Sequence, residues 1–288
     1  MDILQSSYCS SSESEEEEEL VEPVPIVPQA VLDKYSISPN IAKYQPGSEM
    51  NFVRGRWNTF AFIEMRTSTQ QRALLNKTIA CVNEKARLLG VEFEPLHQSE
   101  MGSPQPLHVS LSSNVEFSTR KELDLFPKML SIELMQKFPL HFDVQFEPAL
   151  KLFDNYDKSA LFLTLNVSDS VKRRYLSKLS TIIQESIDCC SLEDNTKQRQ
   201  QWNFVNAHMS IGKTSKTEMT KSYLHDIHGN SDQAELGFTE KFRMLNDVID
   251  TVHLKNSELD QFSFRCHGLK VTKERANIWV PFGNSTTV

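Results

Sequence analysis

Two apolar runs of this chain share a pattern in which a histidine and a serine stand two residues apart. The runs are "PLHVSLSS" and "NAHMSIGK". Because successive side chains of a β-strand point to opposite faces, His108 and Ser110 should share one face of a strand, and His208 and Ser210 one face of another. The apolar residues between them would then face a core. The sequence therefore predicts two strands that each present an imidazole beside a hydroxyl.

A third match, "LHQSE" around His97, differs from these two. Its neighbours are polar and the turn-forming "GSP" follows it, so we interpret it as a loop and as a chance occurrence. One isolated H-x-S on a strand is most simply a polar pair at a sheet edge, because so short a motif often arises by accident. Two copies on predicted strands, 100 residues apart, call for another explanation.

Predicted helices and strands alternate around the two motif strands. The periodicity of apolar residues and the turn signals predict, in chain order, strand 57–65, helix 70–89, the first motif strand, helix 126–138 with Pro127 near its first turn, strands 142–153 and 160–167 joined by a hairpin turn, amphipathic helix 168–187, the second motif strand, helix 238–252, and strands 261–271 and 277–282. The order contains two similar rows of elements, each with one H-x-S strand. It predicts an internal repeat in an α+β fold.

The acidity of the chain is concentrated at its start. The formal net charge is -7, but seven glutamates lie within the first 22 residues, so the rest of the chain is close to neutral. The acidic run and the proline-rich segment after it cannot bury enough apolar surface to offset their conformational entropy. We therefore predict a disordered tail over residues 1–50 and one folded domain over residues 51–288.

Composition disfavours several classes of protein. No apolar run approaches the length of a membrane span, and the acidic start is the opposite of a signal peptide, so we expect a soluble protein with no membrane partner. Five cysteines without paired spacing favour a reducing compartment over a disulfide framework. The "HDIH" that begins at His225 has a spacing that metals can use, but no third ligand accompanies it. We therefore expect no metal site and no cofactor.

Two imidazoles and two hydroxyls around one cleft suit a particular reaction. If the motif strands lie side by side, a neutral histidine can take the proton of a ribose 2'-hydroxyl that attacks the neighbouring phosphate, and a protonated histidine can give a proton to the departing oxygen. The hydroxyls would hold the phosphoryl oxygens. An ordinary imidazole pKa near 6.5 populates both forms around neutrality. The pattern therefore indicates phosphodiester chemistry on RNA that needs no metal.

The motifs also carry a resemblance to a known family. The ordered set of "RGRWNTFAFI", the two H-x-S runs, the hairpin "LKLFDNYDKSALFLTLNV" and the final "NIWVPF" resembles the 2H phosphoesterase superfamily, and within it a fungal-type member of the U6 small nuclear RNA phosphodiesterase branch. The resemblance implies a two-lobed, pseudo-symmetric α+β fold, with antiparallel sheets flanked by helices and one H-x-S strand in each lobe. It also implies a monomeric, nuclear 3'-to-5' RNA exonuclease that trims the U-rich, single-stranded 3' end of that RNA. The product would be a 2',3'-cyclic phosphate, which some fungal members then open.

The same resemblance implies roles for the motif residues. His108 and His208 match the catalytic histidines of the family, and Ser110 and Ser210 match the serines that hold the phosphate. No metal ion takes part in the chemistry of that family.

Three further residues are expected to contact the substrate. Trp202, six positions before the second histidine, matches the aromatic residue that stacks on a nucleobase, and such stacking is worth about 1 to 3 kcal/mol. Tyr156 stands in the hairpin turn, where the family can carry a glutamine that contacts uridine, so the base preference stays open. Asn206 opens the second motif.

Two other functions fit the same residues. Another 2H enzyme could act on a small cyclic or linear phosphodiester such as a cyclic nucleotide, and it would then need no oligonucleotide. A catalytically silent module could use the cleft only to hold RNA ends, although intact histidine and serine in both motifs argue against silence.

Overall fold

The computed structural model describes residues 57–154, 160–191, 203–215, 231–273 and 276–283, with the backbone alone for residues 231–238 and 256. The predicted tail over residues 1–50 lies outside these ranges. None of the helices within them is long and apolar enough to cross a membrane.

The predicted strands and helices occur in the predicted order, and short elements that were not predicted lie between them. The strands are β1 (Trp57–Thr59), β2 (Ala61–Met65), β3 (Glu94–Pro95), β4 (Leu107–Ser110), β5 (Val115–Phe117), β6 (Phe142–Val144), β7 (Phe146–Asp154), β8 (Ala160–Val167), β9 (His208–Ser215), β10 (Phe264–Cys266), β11 (Gly268–Lys273) and β12 (Ala276–Pro281). The helices are α1 (Thr69–Ala86), α2 (Arg120–Lys137), α3 (Asp169–Val171), a π-helical turn (Lys172–Leu176), α4 (Ser177–Cys190), α5 (Ser231–Ile249) and α6 (Asn256–Leu259), with 3-10 turns at Arg87–Leu89, Phe204–Asn206 and Asp260–Phe262.

The two motif strands lie side by side at the centre of the largest sheet. Its strand order is β12-β11-β2-β4-β9-β8-β7, with β3 paired to β9, and every pair in it is antiparallel. Two smaller sheets pair β1 with β5 and β10 with β6. One half of the large sheet thus holds the first motif and the other half the second. The predicted antiparallel α+β architecture is confirmed.

Local sequence signals fix where the first two helices begin. The Ser68 hydroxyl accepts from the main-chain N–H of Gln71, whose side chain in turn accepts from the N–H of Ser68. Thr119 and Glu122 form the same reciprocal pair before α2. Such capping boxes satisfy two main-chain donors that the first helical turn leaves without partners.

Helix α2 begins earlier than predicted. The sequence indicated a helix over 126–138 with Pro127 near its first turn, but α2 begins at Arg120 and Pro127 lies well inside it. Proline removes one main-chain hydrogen bond from a helix interior. The helix continues through it because Leu123, Phe126 and Leu130 are buried on its inner face. The prediction was wrong because it took proline as a start signal and missed the capping box before it.

Three strands that were predicted as continuous are each divided in two. The predicted strand 261–271 begins in a 3-10 turn and is divided at His267 into β10, which pairs with β6, and β11, which lies in the large sheet. Phe60 separates β1, which pairs with β5, from β2, which enters the large sheet. Gln145 likewise separates β6 from β7, and its carbonyl accepts from the N–H of Ser168 instead of from a neighbouring strand. Alternation of apolar residues continues on both sides of all three breaks, so it predicts extended backbone without showing that the two halves have different partners.

Candidate active site

The pairing of β4 with β9 brings the two motifs together. Val109 lies opposite Met209 in an antiparallel register, and both side chains are fully buried. Continuing that register by one residue in each direction places His108 across from Ser210, and Ser110 across from His208. Paired residues point to the same face of a sheet. Both imidazoles and both hydroxyls therefore lie on one face, and all four side chains are half-buried.

His108 lies among aromatic side chains of its own half of the sheet. The rings of Phe60 and Phe62 contact the imidazole edge to face, with centroid distances of 6.2 and 5.8 Å. Burial, and secondly the charge of a protonated His208, lower the pKa of His108 to about 4. The effect of one imidazole on the other follows from the closeness of the two rings.

A buried ion pair lies next to His108. Glu64 is the partner of His108 across β2 and β4, and its carboxylate accepts from Lys270 Nζ at 2.9 Å and from Arg66 Nε at 2.7 Å. The side chains of Lys270 and Glu64 are only 1% and 5% exposed. A carboxylate that two cations neutralise does little to hold a neighbouring imidazole in its charged form. This pair could not be predicted from local sequence patterns, because Glu64 and Lys270 are 206 residues apart.

The ring of His208 has two contacts, a hydrogen bond at one edge and an aromatic ring stacked on one face. Its Nδ1 donates to the main-chain carbonyl of Asn206 at 2.7 Å, so the neutral ring carries its proton on Nδ1 and leaves the Nε2 lone pair available. The ring of Phe153 stacks on it, with centroids 4.1 Å apart and planes within 13°. Burial lowers the pKa of His208, the hydrogen bond to Asn206 partly opposes that shift, and the charge of Lys172 adds to it.

Two polar side chains of β8 extend the site. Thr164 lies across from Ser210 and Asn166 across from His208, and both are buried. The Thr164 hydroxyl donates to the Lys151 carbonyl, whereas the Oδ1 of Asn166 has no hydrogen-bond partner among the described residues. Neither residue is among those that the sequence motifs predicted. The signal was present in "LTLNV", where two polar residues alternate with apolar ones, as in the motif strands.

Of the three residues predicted to contact substrate, one lies among the described residues. Asn206 is exposed in the 3-10 turn before β9, where its main-chain carbonyl holds His208. Trp202 and Tyr156 lie outside the described residues, as does the "HDIH" that begins at His225.

The third H-x-S match and the last residue of the second motif have ordinary structural partners. His97 lies in a bend, as predicted, but it is fully buried and its Nε2 donates to Asn76 Oδ1 at 2.9 Å. Burial and the charge of Arg72 lower its pKa to about 4. Lys213, at the end of the second motif, pairs with Glu94 at 3.1 Å, which accounts for it as a surface lysine.

Comparison with known proteins identifies the class. A family model described as "HVSL: Uncharacterised conserved protein" matches residues 25–275, so the chain belongs to the HVSL family. Its structure is similar to that of Kluyveromyces marxianus Usb1, with a TM-score of 0.64 and 22% sequence identity over 78% of this chain and 98% of that one. The structure of the same Usb1 with uridine monophosphate matches equally well, with a TM-score of 0.64, 21% identity and the same coverage of both chains. No curated protein matches the chain. The likeness confirms the fold that the sequence resemblance implied.

Proposed function

We propose that this protein is a 3'-to-5' RNA exonuclease of the 2H type that removes nucleotides from the U-rich 3' end of U6 small nuclear RNA. The observation that carries the proposal is the register of β4 and β9, which puts two imidazoles and two hydroxyls on one half-buried face. A similar fold in Kluyveromyces marxianus Usb1, solved also with uridine monophosphate, supports a nucleotide as ligand. We expect the protein to act as a monomer in the nucleus.

The reaction uses the substrate's own hydroxyl as the nucleophile. The 2'-oxygen of the penultimate ribose bonds to phosphorus while one neutral histidine, His108 or His208, takes its proton. The bond from phosphorus to the 5'-oxygen of the last nucleoside breaks, and the other histidine, in its protonated form, gives that oxygen a proton. The products are a free nucleoside and an RNA that ends in a 2',3'-cyclic phosphate. Water, added with the two proton transfers reversed, would open this ring to a monophosphate.

Ser110 and Ser210 bind the phosphate in this proposal. Each serine stands beside one histidine on its own strand and across from the other histidine on the neighbouring strand. Their hydroxyls can donate to the two non-bridging oxygens, which gain charge as the five-coordinate phosphorus forms. Trp202, Asn206 and Tyr156 are proposed to contact the nucleotide around that phosphate, with the indole stacked on a base.

Cleavage of a labelled oligo(U) RNA tests the function directly. The purified protein, incubated without added metal and with a chelator, should shorten the RNA from its 3' end, and mass spectrometry should find a cyclic phosphate or monophosphate on the product. A protein with both histidines replaced by alanine is the matched control. Cleavage of a cyclic nucleotide but not of the RNA would favour the small-nucleotide enzyme. Binding of RNA ends without any cleavage would favour the silent module, and strict dependence on added metal would contradict the mechanism.

The cleavage rate should fall as the pH rises above neutrality, because one of the two imidazoles must be protonated. Both histidines have pKa values below 6.5 in the free protein, and catalysis needs one of them protonated. Above pH 6.5 the protonated fraction decreases with every rise in pH. We therefore expect kcat/KM, which follows the ionisation of the free protein, to fall about tenfold per pH unit between about pH 7 and 8.5. Initial rates at low substrate concentration measure it, and a flat or rising profile would exclude the acid role of an imidazole.

Removal of the acidic tail should leave the enzyme intact. We expect a protein that lacks residues 1–49 to keep its melting temperature and its cleavage rate, because that segment is too acidic to join an apolar core. A second deletion that extends through residue 60 is the control. It removes β1, its pairing with β5 and the hydrogen bond from Thr59 to the Thr272 carbonyl, so it should destabilise the fold. Loss of folding in the shorter deletion would show that the domain boundary is misplaced.

A further inference from the structure

The two histidines of the site are held in different ways. His108 meets the rings of Phe60 and Phe62 at steep angles of 83° and 76°. His208 instead lies almost parallel to the ring of Phe153, at a centroid distance of 4.1 Å. Phe153 belongs to β7, which is separated from β9 by the whole of β8. Its side chain must therefore reach across a strand to cover the imidazole.

The hydrogen bond to Asn206 does not by itself fix the orientation of the His208 ring plane. The bond from Nδ1 to the Asn206 carbonyl fixes the direction of one ring edge, but the ring plane can still tilt about that direction. A parallel ring against one face opposes such tilting, because it would break the stack or force the rings to overlap. The two contacts together aim Nε2 along one line, which proton transfer requires.

The stack also affects the charge of the imidazole. The face of an aromatic ring carries partial negative charge and attracts a cation above it. Phe153 therefore favours the protonated form of His208, in the same direction as the Asn206 carbonyl and against the effects of burial and Lys172.

We propose that Phe153 is a positioning residue for the reaction proposed above: it acts through His208, by holding the plane of the imidazole and by stabilising its protonated form. This inference rests on the proposed function for its catalytic consequence, but not for its effect on His208, which exists without substrate.

Leucine and tyrosine replacements at Phe153 distinguish the effect of its aromatic face from the effect of its apolar volume. Phe153→Leu keeps an apolar cover over the imidazole and removes the aromatic face, whereas Phe153→Tyr keeps the face. Leu152→Ala is the matched control, since Leu152 is the neighbouring residue of β7 and packs against the core instead of the site. Thermal unfolding of all three variants shows how far each is destabilised.

The decisive measurement is the titration of the His208 ring proton signals by NMR in the full-length protein without RNA, with His208→Ala used to assign them. We expect the pKa of His208 to fall by roughly half a unit in Phe153→Leu, and to stay unchanged in Phe153→Tyr and Leu152→Ala. An unchanged titration in Phe153→Leu, or an equal shift in Leu152→Ala, would overturn the proposal. Because this titration needs no cleavage, it gives an answer even if the proposed function is wrong.

Kinetics then test the catalytic consequence. On oligo(U), Phe153→Leu should lower kcat by about three- to tenfold with little change in KM, and Phe153→Tyr should restore kcat. A rise in KM with kcat unchanged would mean that the ring contacts substrate instead of positioning His208, and it would overturn the assignment.

Discussion

Replacement of either His108 or His208 by alanine should lower kcat on oligo(U) RNA by about 10² to 10⁴ or more. One imidazole must take a proton and the other must give one in the same step, so neither can substitute for the other. The two residues act as a unit, and the double variant should be little slower than each single variant. Single-turnover cleavage of end-labelled RNA measures all three.

Controls for this experiment come from the same chain. His267 is exposed and remote from the motifs in sequence, so His267→Ala should cleave at the parental rate. His108 is half-buried among aromatic rings, so its alanine variant also needs a melting curve to show that it remains folded. A folded single variant that keeps most of its activity would end the two-histidine mechanism.

A single 2'-deoxy substitution at the penultimate ribose should abolish the first cleavage. The site holds imidazoles beside hydroxyls, which can transfer protons and bind a phosphate. The 2'-oxygen of the penultimate ribose is covalently held close to the phosphorus that it attacks. Intramolecular attack of this kind can gain about 7 to 11 kcal/mol over attack by a free molecule. The terminal ribose supplies only the departing 5'-oxygen, so the same substitution there should be tolerated far better.

The matched pair of RNAs separates two mechanisms that the histidine variants cannot distinguish. Both imidazoles would be essential for direct attack by water as well as for attack by the ribose. Gel analysis of the two deoxy RNAs against the all-ribose RNA measures the first cleavage in each. Efficient cleavage of the penultimate-deoxy RNA would mean that water attacks directly, and the 2'-hydroxyl mechanism would have to be abandoned.

Local pattern was sufficient to predict the secondary structure that carries the site. Strand β8 was predicted over the same residues, 160–167, that it occupies. In the motif strands, buried apolar residues alternate with half-buried histidine and serine. The sequence predicted this alternation from the two-residue period of a strand. These features are predictable because they depend on neighbouring residues and on the fixed geometry of a strand. Prediction from local pattern failed at Phe60, because β1 and β2 pair with different distant strands. It failed at Pro127 because the capping box before α2 was overlooked.

Strand order decided how the parts of the site meet. The sequence alone determined that two strands would each present a histidine beside a serine, and it pointed to the family in which such strands form one cleft. Only the tertiary structure placed Val109 opposite Met209. This register places each histidine directly across from the serine of the other motif. The tertiary structure alone brought Phe153 across β8 to the face of His208 and joined Lys270 to Glu64 beside His108. The physical reason is that alternation fixes the face on which a side chain lies, whereas its neighbours across the sheet depend on which strands pair and in what register.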